Sequence, residues 1–179
     1  MPRLSRSLLV ATLGAAVILP IVASGFTLDA AAAGASARLG PPWISIEYPP
    51  NPHDAGTRGA FLVVNSFHHE TPVTFPVSGL AEGMVNGERR TVKLELQRTS
   101  RPGAYALRKQ WPDEGTWVLV LRVHQGDNSA ATALVSLARD GSIASVEVPT
   151  RRQGQWTIPR VVTTAEIESL LARRVAARE

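Results

Sequence analysis

The sequence contains no cysteine. That excludes disulfides, cysteine nucleophiles and thiolate-held zinc in one step. A dense stripe of positive charge is missing as well. The formal net charge is +4, but the 19 Lys and Arg are scattered as doublets, Arg89-Arg90, Arg151-Arg152 and Arg173-Arg174, among 15 acids. A nucleic-acid footprint gathers its basic residues on one face, so nucleic acid is not an expected partner. The doublets read as solvated surface.

Catalytic signatures are lacking too. There is no Gly-x-Ser-x-Gly elbow, no phosphate-cradling loop, no dinucleotide fingerprint and no HExxH pair. Asp113-Glu114 is a carboxylate pair, but the flanking Pro112 and Gly115 explain it as turn chemistry. Asp54 beside His53 could orient an imidazole, yet no serine partner is indicated by position. A non-enzymatic role is the expectation.

What is present is a 44% hydrophobic chain in which Val, Leu and Ile recur throughout, enough for one globular domain plus extras. The opening MPRLSRS carries Arg3 and Arg6 without an acid, and residues 8–26, from Leu8 to the closing Phe26, are uncharged. These are the n-region and h-region of an export signal. Val22-Ala23-Ser24 and Ala35-Ser36-Ala37 offer small residues for cleavage. The run of 19 residues is longer than the about 7–15 usual for a leader and is long enough to persist as a membrane tether. Pro20 and Gly25 favour cleavage. Either way the remainder is expected outside the cytoplasm, periplasmic or extracellular. The expected division is a signal or anchor plus linker over 1–37, a β-sandwich over 38–150 and an extension with an amphipathic helix over 151–179.

From Trp43 onward the signals are those of strands. Trp43-Ile44-Ser45-Ile46-Glu47-Tyr48 ends in the breaker Pro49-Pro50-Asn51-Pro52. Phe61-Leu62-Val63-Val64 is continuously apolar, and His68-His69-Glu70-Thr71-Pro72 reads as a turn before a short edge strand over 73–77. Residues 78–87 hold Gly79, Gly83 and Gly87 and read as a loop. Over 90–98, Val92, Leu94 and Leu96 alternate with Lys93, Glu95 and Gln97, the pattern of a half-buried strand. Asp140-Gly141 between apolar runs predicts a hairpin. About seven strands at spacings of about 8–12 residues predict a mainly β fold, an immunoglobulin-like antiparallel sandwich. At the carboxyl end Thr163-x-x-Glu166 is a capping box, and Ile167, Leu170 and Leu171 share a helical stripe continued by Arg174 and Arg178.

Residues 101–123, RPGAYALRKQWPDEGTWVLVLRV, read as a hairpin turning at Pro112-Asp113-Glu114-Gly115. Its second strand is apolar on both faces: Trp117, Leu119, Leu121 and Val123 on one, Val118 and Val120 on the other, where Arg122 and His124 follow. A sandwich strand ordinarily wets one face, so the second needs a cover. The carboxyl-terminal helix is expected to supply it, with the glycine-rich loop or another protein as alternatives. The run at 61–64 has the same character and would share that cover.

The pattern Gly103-x-Tyr105 followed by Gly115-x-Trp117-x-Leu119-x-Leu121 resembles the closing hairpin of small extracytoplasmic immunoglobulin-like domains of the YtkA-like and FixH-like families. The resemblance covers residues 43–123. It implies a sandwich outside the membrane, near copper handling or respiratory oxidase assembly. This chain departs from the copper-linked members in lacking a methionine-rich stretch, Met84 standing alone in the exported part.

The candidate metal ligands are His68, His69, Met84 and His124, which would bind copper only by converging on one point. Adjacent His68 and His69 can do so only if their segment is a turn. Trp117 and Tyr105 are expected in the core with their polar tips on backbone acceptors. Trp111 at the hairpin tip and Trp156, with Ile167, Leu170 and Leu171 of the helix, are the candidate protein contacts. The functional expectation is a non-catalytic binding or accessory protein of the cell envelope that holds an envelope partner or assists assembly of a complex. A copper-handling domain and a structural spacer are the alternatives.

Overall fold

The structure, a computed structural model, describes residues 40–127 and 129–177. The expected leader or anchor, its cleavage sites and Arg178 lie outside the described residues. Among those described, no helix is long and apolar enough to cross a membrane.

The fold is mainly β. One antiparallel sheet runs in the order β1 (Trp43–Glu47), β2 (Leu62–His68), β7 (Ala104–Leu107), β6 (Leu96–Arg98), with β3 (Thr71–Pro72) hairpinned onto the end of β2. The second has the order β10 (Ile143–Glu147), β9 (Ser129–Leu137), β8 (Thr116–Gln125), β4 (Val77–Val85), β5 (Glu88–Leu94). A separate ribbon pairs β11 (Thr150–Gln153) with β12 (Trp156–Pro159), and helix α1 (Thr164–Ala176) follows.

Period-two burial explains the main core. Ile44, Leu62, Val64, Tyr105 and Leu107 from the first sheet meet Ala81, Trp117, Leu119, Leu121, Val123 and Val135 from the second. The opposite face of the second sheet forms another cluster, in which Val118, Val120 and Leu134 are covered by Ile167, Leu170 and Leu171 of α1. The helix is therefore the cover that the two-faced strand requires. The apolar run in β2 does not share it, because β2 belongs to the other sheet. Its outward Val63 lies in register between Glu47 and Ala106. Arg101 binds Glu47 at 2.8 Å and approaches Asp54 at 3.1 Å, the latter a charge contact without hydrogen-bond alignment, and so ties the 51–57 turn to this face. Burial would raise the Glu47 carboxyl, but bonds from Arg101 and Asn51 outweigh it and hold the group below its ordinary value.

Four expectations are corrected by the structure. The segment 101–123 is not a hairpin. Its first strand, β7, pairs with β2 and β6, whereas β8 pairs with β4 and β9, so the connection crosses from sheet to sheet. Trp111 in that crossing is 5% exposed and meets Phe61 edge-on at 5.1 Å, plugging the end of the core instead of offering a contact. Residues 78–85 belong to a nine-residue strand and not a loop, since Gly79 and Gly83 answer to packing: a Cβ on Gly83 would stand 2.3 Å from the Trp117 ring, and only Gly87, with φ of 80°, serves the turn that follows. The alternating run 90–98 splits at Glu95 between the two sheets. Gln110 braces the break, its side-chain amide accepting from Glu95 N at 2.8 Å and donating to Glu95 O at 2.9 Å.

Candidate functional site

The predicted hairpin at 139–141 forms, with Asp140 accepting from Ser142 N and Oγ. The ribbon β11–β12 that follows was not legible as strands, and it builds one wall of a cleft of about 370 Å³. The other wall is Gly40, Pro41 and Trp43 at the start of β1, together with His69. Trp43 is 41% exposed and Trp156 is 67% exposed, so two indole faces stay open to solvent around one depression. Gln153 and Thr157 add polar groups to a lining that also contains Ile158.

His69 reaches this cleft from an unusual turn. The ladder Phe67–Pro72 and His68–Thr71 leaves His69-Glu70 as a two-residue loop, with φ of 46° and 66°. Both central residues are left-handed, which is the geometry that Asn-Gly adopts readily. A side chain there costs about 1–2 kcal/mol per residue. Strain of this kind concentrates at functional positions. The turn also brings the two imidazoles together, edge to face at 4.3 Å between centroids, with Phe75 at 6.3 Å from His68.

The four proposed metal ligands do not converge. Met84 pairs with Thr116 at one end of the β4–β8 ladder, while His124 lies eight residues further along β8. At the rise of a strand this separates them by about 25 Å, so one ion cannot take both. Among the described residues no group of three or more His, Asp or Glu is placed to hold a metal.

Of the helix residues proposed as protein contacts, Ile167, Leu170 and Leu171 are buried against the chain's own second sheet. They are withdrawn from partners because the strand beneath them has a second apolar face to cover. A polar cleft of about 530 Å³ beside the helix contains Arg160 and Glu166. Arg160 donates to Glu166 at 2.5 and 3.0 Å, and Glu166 also accepts from Thr163 N at 2.9 Å to complete the capping box. These bonds draw the Glu166 carboxyl down to about 2. That carboxylate is committed to the helix start.

Trp117 Nε1 donates to Glu114 O at 2.8 Å and Tyr105 Oη to Phe75 O at 2.5 Å, as expected of core aromatics with polar tips. Only Trp156 of the expected contacts remains on the surface, joined there by Trp43. No family model matches the chain, and neither a curated protein nor a solved structure does.

Proposed function

We propose that the chain is a non-catalytic binding module of the cell envelope, an immunoglobulin-like sandwich that engages an envelope protein through the Trp43–Trp156 cleft. The observation that carries this reading is the pair of exposed indoles on one depression, while the apolar faces of the sheets are covered from within. Open tryptophan surface is characteristic of protein contacts and rare elsewhere. The strained His69 beside it supports a selected surface.

Two further observations support the wider reading. Strand order β1-β2-β7-β6 against β10-β9-β8-β4-β5 corresponds to the immunoglobulin order A-B-E-D against G-F-C with an added C′, β10 being an extra strand at the G edge. The charge-flanked apolar run at 8–26 supports export, with the binding module outside the cytoplasm.

A photo-crosslinking residue at Trp156, introduced into the full-length chain in cells, is expected to trap a single partner. The same residue at exposed Val146 should not, and Trp43→Ala should lower the Trp156 yield at least about tenfold, equivalent to about 1.4 kcal/mol. Equal products from both positions, or none from position 156, would discard the cleft as the contact. A mere spacer would give that second result.

A further inference from the structure

The outer face of the second sheet changes character beyond the edge of α1. In register across three adjacent strands stand Ser78 on β4, Arg122 on β8 and Thr132 on β9, with His124 two residues further along β8. Their core-facing neighbours, Val123, Ala131 and Ala133, fix these side chains on the opposite face. The row is rich in hydrogen-bond donors. Among the described residues Arg122 makes no ion pair. Its Nε is buried without a partner, and so is the hydroxyl of Thr132, a residue with 0% exposure. Buried polar atoms are satisfied in the great majority of cases, so two unsatisfied ones side by side ask for a missing acceptor.

We infer that Ser78, Arg122, His124 and Thr132 form a binding site for a tetrahedral oxyanion of the phosphate or sulfate class. Arg122 supplies a planar fork that takes two oxygens. A carboxylate would satisfy that fork alone, whereas a tetrahedral group presents further oxygens to the hydroxyls on the neighbouring strands. Ser78 Oγ lies 2.8 Å from His124 Nε2. With the imidazole donating there, the hydroxyl hydrogen of Ser78 is left for the ligand. Ser78 is exposed and Arg122 and His124 are partly so, whereas Thr132 is closed off, so the anion enters over Ser78 and gains the Thr132 hydroxyl only as the Arg122 side chain turns outward. Burial and then the charge of Arg122 hold His124 below its ordinary value, consistent with local positive charge. The site is separate from the tryptophan cleft and shares no lining residue with it.

The test uses the full-length chain and two probes: inorganic phosphate, and vesicles of anionic against zwitterionic phospholipid. The readouts are the ring-nitrogen resonances of His124 and the melting temperature. Phosphate is expected to move the His124 signals saturably and to raise the melting temperature. Arg122→Gln should weaken this at least about tenfold, or about 1.4 kcal/mol, while Arg90→Gln on exposed β5 leaves it unchanged. Thr132→Val, which keeps the side-chain shape, should also weaken it and guards against a failure of Arg122→Gln to fold. A response to anionic vesicles without one to free phosphate assigns the same site to a lipid headgroup. No response of His124 to either probe up to tens of millimolar overturns the inference. So does equal weakening by Arg90→Gln, or unaltered binding in Thr132→Val.

Discussion

Gly83 and Trp117 face each other across the β4–β8 ladder, and the indole occupies the volume in which a Cβ would stand. Gly83→Ala is therefore expected to lower stability by about 1–3 kcal/mol, the usual effect of overpacking a filled core. Thermal unfolding of Gly83→Ala beside Gly83→Ala/Trp117→Leu checks this, because the smaller partner should recover part of the loss. An unchanged melting temperature in the single variant would show that the ring moves aside freely. The same pair explains a limit of sequence reading. Glycine at this spacing signals a loop when only φ/ψ freedom is considered, and its packing role appears only once the tryptophan above it is known. Trp111 misleads for a related reason: the residue before a proline suggests an exposed tip, yet the crossing between sheets turns it inward onto Phe61. Tyr105 and Trp117 were legible because a large ring with one polar atom has few places to go in a sandwich.

Elements were legible where local chemistry is sufficient to define them. The capping box places the start of α1, and Asp140-Gly141 defines the β9–β10 hairpin. Where a strand changes sheets, local periodicity carries no mark of the break. The alternation of Val92, Leu94 and Leu96 runs on unbroken through Glu95, and only the pairing partners, β4 for Leu94 and β7 for Leu96, reveal the division that Gln110 braces. The helix start also carries a pH signature. Bonds from Arg160 and Thr163 depress Glu166 from its ordinary 4.5 to about 2. A carboxyl lowered on folding contributes stability that is present above about pH 4.5 and lost as pH falls through about 2. Melting curves stepped through that window should show a loss that Glu166→Gln lacks. Parallel behaviour of the two chains would remove Glu166 from the acid response. The group is at the surface, so added salt should shrink the difference.

At the scale of the molecule, β8 sets the architecture, because its two apolar faces require three layers where a plain sandwich needs two. The first sheet covers Trp117, Leu119, Leu121 and Val123, and α1 covers Val118 and Val120. This demand was readable in the sequence, but not which half of the surface stayed open, since that depends on a ribbon at 150–159 with no apolar alternation to announce it. The helix is thus structural, and the exposed tryptophans Trp43 and Trp156 are the surface left to the proposed contact. Ending the chain at Val162 would expose the outer side of β8 and β9 and remove Ile167, Leu170 and Leu171 from their cluster. At about 1.5–3 kcal/mol for each buried side chain, the loss is about 5 kcal/mol or more against a typical net stability of about 5–15 kcal/mol. The truncated chain should melt about 10–20 °C lower and bind an apolar dye that the full chain excludes. Melting and dye binding that match the full chain would mean that α1 covers nothing the second sheet needs, and would return its apolar stripe to the list of partner surfaces.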